Sequence, residues 1–427
     1  MKKLNFLGLA IIILISCNQQ KSGTSREKTT GIEKRNFNNS DNSVARNLAN
    51  SENDKASKRV EVKQKNTEVE QEEDESNAIL QEQQGNLENL DKYRNWMELT
   101  FTESQEKKLR NIVIPGTHNS GSSKISINSD FASGSEINHQ IFNTINAIPL
   151  LNNFVDSQIK EIFSQWSRTQ NKSIKDQLND GIRFLDLRVA PSKQTGAFMI
   201  VHGQESIELS AGLQDIRDFV GTFPKEIVFV KSQLSYDYRV SVSDTVRSDS
   251  QKNMEWMITK YLDAAVYKAS ADDANIADVW ASSKSIILLS NSNLVNAWGQ
   301  IHSNQEETLF KNIDTYLAAG KAEKFVEICI CLTPEDTDIV RFIAQRYKVE
   351  GLVDFIGGAI DKGRDIVDRI FLTNSDSIAL KNFQSGLHAR LISNIKKWNQ
   401  KSHRMNILSV DFYDDIRFVD QIIQLNK

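Results

Sequence analysis

Two histidines stand at the ends of short apolar runs: His118 in IVIPGTHNSGSS and His202 in AFMIVHG. Asp186 and Arg188 interrupt GIRFLDLRV, Lys231 lies at the end of the apolar stretch of EIVFVKSQ, and Asp411 interrupts NILSVDF. Two imidazoles can serve as base and acid, a fixed guanidinium can hold a phosphate through two parallel bonds, and a carboxylate can orient an imidazole. Together these groups describe metal-independent cleavage of a phosphodiester by an internal hydroxyl. Other inventories fit worse, because the chain has no Gly-x-Ser-x-Gly elbow, no Walker loop and no His-Glu-x-x-His. In GIRFLDLRV the strand period puts Phe184, Asp186 and Arg188 on one side and Arg183, Leu185, Leu187 and Val189 on the other. Asp186 and Arg188 therefore face the same way, either as a useful buried pair or as an ion pair that fixes strand register.

The elements that must position these groups are strands. NIVIPG, GIRFLDLRV, AFMIVHG, EIVFVKSQ, SIILLS, KFVEICICL and NILSVDF are apolar and strand-like, and Pro115-Gly116 is expected to end the first. Amphipathic helical patterns such as SIKDQLNDG and ELSAGLQDIRDFVGTFP lie between several of them. Strands alternating with helices imply parallel βα units, and seven such runs favour an α/β barrel of the TIM type, regular or distorted, over an open sheet. His118 then sits just past a strand's carboxyl end, where loops converge on one face.

The rest of the 427 residues sets the context. MKKLNFLGLAIIILISCNQQ has two lysines, an apolar stretch and then Ser16-Cys17, the grammar of a secretory signal, with an apolar run too short for a permanent span. Leu14-Ile15-Ser16-Cys17 resembles the bacterial lipobox, which implies a signal over residues 1–16 and lipidation of Cys17. Residues 17–89 are polar, rich in charge and nearly free of aromatic side chains, so they read as a disordered tether before a folded domain at 90–427. This places the protein in the cell envelope as a lipid-anchored monomer. A net charge of −4 with no basic stripe argues against nucleic acid as partner. Cys329 and Cys331 sit at i and i+2 in a strand, about 7 Å apart and too far for a relaxed disulfide, so they read as core residues. No structural zinc spacing occurs. His139, His302, His388 and His403 lack motif context and default to solvated or capping roles. Ile141, Phe142, Ile145, Ile148, Leu151, Phe154 and Val155 recur at roughly helical spacing, as a face that packs on the barrel.

The set IPGTHNSG, WSRTQNKSIKDQLNDGIRFLDLRV, MIVHG, FPKEIVFVKSQ and NILSVDFYD resembles the X domain of phosphatidylinositol-specific phospholipase C, over roughly residues 95 to 425. The resemblance implies a distorted TIM barrel and a two-histidine mechanism on an inositol phospholipid or a glycosylated relative. By that likeness His118 is the base for the inositol 2-hydroxyl and His202 the acid for the diacylglycerol oxygen. Arg188 stabilises the phosphoryl oxygens, Asp411 orients His118, Lys231 contacts the head group and Asp186 supports the site. One residue departs from the pattern. Asn119 stands where bacterial members carry an Asp that pairs with the acid histidine, so its amide oxygen is expected to accept from His202. His-Asn is instead the pairing of calcium-dependent members, which would make Asn119 and Asp186 calcium ligands. The Arg188 guanidinium disfavours a divalent ion there, so no cofactor is expected. A non-catalytic lipoprotein using the barrel as a binding module is the alternative. A glycerophosphodiester phosphodiesterase would need an acidic metal cluster where Arg188 stands.

On this reading Cys17→Ser should release the protein from the membrane fraction. Unchanged fractionation, with no lipid on the mature N-terminus, would remove the anchor.

Overall fold

The computed structural model describes residues 91–132, 156–235, 244–268, 270–319, 324–334, 387–401, 405–413 and 417–427. The expected signal and Cys17, the tether, His139, His403 and the apolar set from Ile141 to Val155 lie outside the described residues, as does the side chain of His388.

Seven strands run parallel: β1 (Ile114–Thr117), β2 (Phe184–Pro191), β5 (Val228–Leu234), β6 (Ile286–Leu289), β7 (Leu294–Asn296), β8 (Phe325–Ile330) and β9 (Ile407–Val410). Their hydrogen-bonded order is β6-β5-β2-β1-β9-β8-β7. Strand β8 and residues Val228–Lys231 of β5 are buried on both faces, as strands covered on both sides must be. The sheet curls. Strands β5 and β8 are separated by three others in that order, yet Lys231 of β5 reaches Glu327 of β8 at 2.8 Å, and the Phe229 and Phe325 rings have centroids 5.6 Å apart. Among the described residues the ring is not closed, because β6 and β7 do not pair. Only residues 290–293 link them, and adjacent parallel strands need a crossover of about a dozen residues or more.

The interior is layered, as alternation along each strand requires. Phe184, Phe229 and Phe325 form an apolar floor. Two residues on, Asp186, Lys231 and Glu327 form a charged layer. Two more residues reach Arg188 and Cys329 at the carboxyl end. The alternation read from GIRFLDLRV therefore holds. Gly116 of β1 admits this packing, since a Cβ there would lie 2.7 Å from Phe184 Cδ1.

Three expectations about the strands need correction. Strand β1 passes through Pro115-Gly116 instead of ending there: the Pro115 carbonyl still accepts from Arg183 N at 2.9 Å, so the ladder tolerates the missing donor. AFMIVHG is not a parallel βα strand. It forms β3 (Phe198–His202), antiparallel to the end of β2, and turns at Gly203 (φ +74) into β4 (Gln204–Glu208). The link from Ser192 to Ala197 is too short for a parallel crossover and reverses through Gly196 (φ +71). Cys329 and Cys331 are joined as a disulfide, with Cα atoms 5.4 Å apart. Strand β8 ends at Ile330, so the chain no longer holds the extended i to i+2 span.

At the barrel's amino end, helix α1 (Trp96–Phe101) and the residues before it are fastened by Arg183. Its guanidinium is fully buried and donates to Glu226 Oε2 at 2.8 and 2.6 Å and to the carbonyls of Tyr93, Arg94, Leu178 and Ile182. Glu226 also accepts from Glu98 N at 3.0 Å. Removing one partner strands the other charge in the core. Arg183→Met should cost about 3–5 kcal/mol in denaturant unfolding, and Arg183→Met/Glu226→Leu should recover most of it. Unchanged stability in the single variant would contradict the pairing.

Candidate active site

The loop after β1 is fixed from three sides. Ser120 and Asp186 exchange two bonds: Ser120 N donates to Asp186 O, and Asp186 N donates to Ser120 Oγ, both at 2.9 Å. His118 N donates to Val410 O of β9 at 3.1 Å. The Gln170 amide donates to the carbonyls of both His118 and Val410 at 2.9 Å, and Thr169 Oγ1 donates to His118 O at 3.2 Å. Thr169 and Gln170 follow helix α2 (Asp156–Ser167). Helix α3 (Ile174–Asn179), capped by a Ser173–Asp176 box, supplies Gln177 to Thr117 Oγ1 and the Ser120 carbonyl. So held, Asn119 takes φ +46, a left-handed conformation that asparagine tolerates better than most residues.

The barrel brings His118, Asn119, Asp186, Arg188, His202, Lys231 and Asp411 to its carboxyl end. His118 Nδ1 lies 2.9 Å from Asp411 Oδ1, so the buried carboxylate holds the proton on Nδ1 and leaves the lone pair on Nε2. His202 Nδ1 lies 2.7 Å from the Ser167 carbonyl, which accepts only, so it too carries its proton on Nδ1. The two rings meet edge to face with centroids 5.9 Å apart. Arg188 grips Asp186 with Nε at 3.2 Å and Nη2 at 3.1 Å, and no described residue bonds its Nη1.

Charge follows from burial and neighbours. Burial opposes ionisation of Asp186, yet Arg188, then Lys231 and His118, hold its carboxyl far below the usual carboxylate range. Burial also opposes the charge on Arg188, and Asp186 more than restores it. Half-buried His202 is pulled down to about 4 by burial and by the charges of His118 and Arg188, against the opposing pull of the Ser167 carbonyl and Asp411.

Two placements differ from expectation. Asn119 does not reach His202: its Nδ2 lies 3.1 Å from His118 Nε2, and its buried Oδ1 has no partner. The left-handed backbone turns the side chain toward its own neighbour, and the Ser167 carbonyl takes the place on His202 that the amide was expected to fill. Lys231, expected at a head group, is buried with its ammonium 2.8 Å from Glu327 and 3.4 Å from Asp186. Its charge keeps two interior carboxylates paired. Glu327 is the residue that the sequence reading passed over. It also accepts from Ser409 Oγ at 3.1 Å, and its signal was a lone carboxylate inside the apolar run FVEICI. Of the remaining histidines, exposed His302 stacks on Trp298 and bonds its carbonyl, away from the set.

Residues 146–291 match the family model for phosphatidylinositol-specific phospholipase C, X domain. That stretch holds Asp186, Arg188, His202 and Lys231, while His118 and Asp411 lie outside it. The chain is 30% identical over 137 residues to human PI-PLC X domain-containing protein 2, covering 32% of this chain and 41% of that protein. It is 27% identical over 156 residues to the variant-surface-glycoprotein phospholipase C of Trypanosoma brucei brucei, covering 36% and 42%. The chain thus spans less than half the length of these relatives. Among solved structures it is similar to the phosphatidylinositol-specific phospholipase C of Listeria monocytogenes, with TM-score 0.46 and 17% identity over 78% of this chain and 99% of that one.

In a histidine NMR titration of the ligand-free protein, His202 should titrate near 4 and not near 6.5. The sign for stability follows. The unfolded chain binds the His202 proton first, so acidification from 6.5 to 4 should weaken the fold through this residue. An anion placed between the rings should raise the value. A His202 titration near 6.5 that inorganic phosphate leaves unmoved would contradict its enclosed placement.

Proposed function

We propose that this protein cleaves the glycerol-phosphate bond of phosphatidylinositol or a glycosylated relative, with the inositol 2-hydroxyl as internal nucleophile. The observation that carries this reading is the pair of imidazoles 5.9 Å apart, each held through Nδ1, beside a guanidinium with a free edge. His118 Nε2 takes the 2-hydroxyl proton, displacing the Asn119 amide that rests on it. The hydroxyl oxygen attacks phosphorus and closes a five-membered cyclic phosphodiester. Arg188 balances the charge that develops on the phosphoryl oxygens. Protonated His202 gives its Nε2 proton to the departing oxygen, which leaves as diacylglycerol. The phosphate's own negative charge is what raises His202 enough to carry that proton. Lipidation at Cys17 in the cell envelope would keep such a site beside its lipid.

The reaction is proposed to run without metal. Calcium takes about six to eight oxygen ligands. Here Asp186 is already bound by Arg188 and Lys231, whose charges repel a divalent ion, and of the two expected ligands this leaves the neutral Asn119 Oδ1 without a partner. These residues do not fit the ion.

One contact favours a second reading. An amide donating to the base nitrogen would suit a barrel kept only to bind lipid. Turnover of a soluble inositol phosphodiester separates the two. The parent should be active in chelator, and His118→Ala and His202→Ala should each lose about 10²- to 10⁴-fold. Arg188→Lys should be severely impaired, since an ammonium cannot hold both Asp186 and a phosphate in one plane. Binding of the diester without turnover would favour the module, and calcium dependence would overturn the metal-free scheme.

A further inference from the structure

Strand β8 carries more than Glu327 into the interior. Cys329 lies on the same face two residues further on, opposite Ser409 of β9, and Cys331 follows just beyond the strand's end. Both cysteines are buried, and their Sγ atoms and a ring nitrogen of His118 all lie within 4.8 Å of one another. The sulfurs are joined as a disulfide. Reduced, they would be two thiols beside an imidazole whose Nδ1 is held by the Asp411 carboxylate, which would leave Nε2 as the ligand atom. This is a soft donor set with the outer-shell carboxylate that metal-ligating histidines commonly have. Tetrahedral zinc, with bonds of about 2.3 Å to sulfur and 2.0–2.1 Å to nitrogen, spaces such ligand atoms about 3.5–3.8 Å apart, which rotation about the side-chain bonds can reach.

We propose that Cys329, Cys331 and His118 form a thiolate–imidazole site for zinc(II), closed while the cysteines are disulfide-bonded and opened by a thiol reductant. The balance is simple. Two thiol reductants become one disulfide and give Cys329 and Cys331 two electrons and two protons. Those protons leave again as the two sulfurs bind the ion. Two thiolates offset the charge of zinc, so the centre they form carries no net positive charge to oppose Arg188. The fourth position stays open, as in sites with three protein ligands. A bound ion occupies the imidazole, so zinc blocks turnover. This last step rests on the reading of His118 as base, whereas the binding itself does not.

The test uses the full chain, reduced with a phosphine that is then removed, and cobalt(II) as a coloured stand-in for zinc. The reduced parent should take up one cobalt per chain and show a thiolate-to-cobalt charge-transfer band, which zinc erases. The oxidised parent and the variants Cys329→Ala and Cys331→Ser, each checked for fold by circular dichroism, should show no band. One equivalent of zinc should lower turnover of the reduced parent at least tenfold, with recovery on chelation, and should leave both variants unaffected. A reduced parent without the band, or a band that persists in both variants, overturns the site. If the band forms as expected but turnover ignores zinc, the block at His118 is wrong. If neither parent nor variants turn over the diester, the catalytic reading fails while the band still decides the metal site.

Discussion

Asp186 is a carboxylate with no access to water, and the interior of the barrel is arranged around keeping it charged. A buried anion persists only where cations and hydrogen bonds replace its lost hydration. Arg188 supplies one cation from the same strand and Lys231 another from its neighbour in register. Lys231 brings a second carboxylate, Glu327, from across the barrel, and Ser409 satisfies one of its oxygens. These groups draw β2, β5, β8 and β9 onto one layer above the phenylalanine floor. Arg188 spends Nε and Nη2 on Asp186, and no described residue bonds its Nη1.

The site above that layer is built at some cost. Asn119 adopts positive φ, its Oδ1 is buried without a partner, and His202 is held neutral in the ligand-free protein. Such local penalties persist where the surroundings over-determine them, here through Thr169, Gln170, Gln177 and Ser120, and they tend to gather at functional sites. On the proposed function a phosphodiester would relieve the last of them. Its oxygens would meet Arg188 and favour the imidazolium of His202, while the inositol hydroxyl would displace the amide from His118.

Much of this was legible in the sequence where local period decides the outcome. The alternation of GIRFLDLRV put Asp186 and Arg188 on one side and Arg183 on the other, without saying which side faces the interior, and the ends of apolar runs gathered His118, His202 and Asp411 at strand ends. What escaped depended on distant partners or on the length of a link. AFMIVHG has the composition of any buried strand, and only its short connection makes it run antiparallel. Glu327 has meaning only beside Lys231, nearly a hundred residues away. The approach of Cys331 to Cys329 follows from where β8 ends, a boundary that composition does not mark. Asn119 turns to His118 because of a backbone angle that side-chain chemistry does not report.

The proposed reaction makes one chemical commitment that no variant is needed to test: the first product is cyclic. Phosphorus-31 NMR of the full-length protein acting on phosphatidylinositol vesicles in the presence of chelator reads this directly. A five-membered cyclic phosphodiester resonance should appear first, with any monoester growing only later at its expense. A monoester that accumulates from the start, with no cyclic species before it, would mean that water is the nucleophile, and the pairing of His118 with an inositol hydroxyl would be wrong.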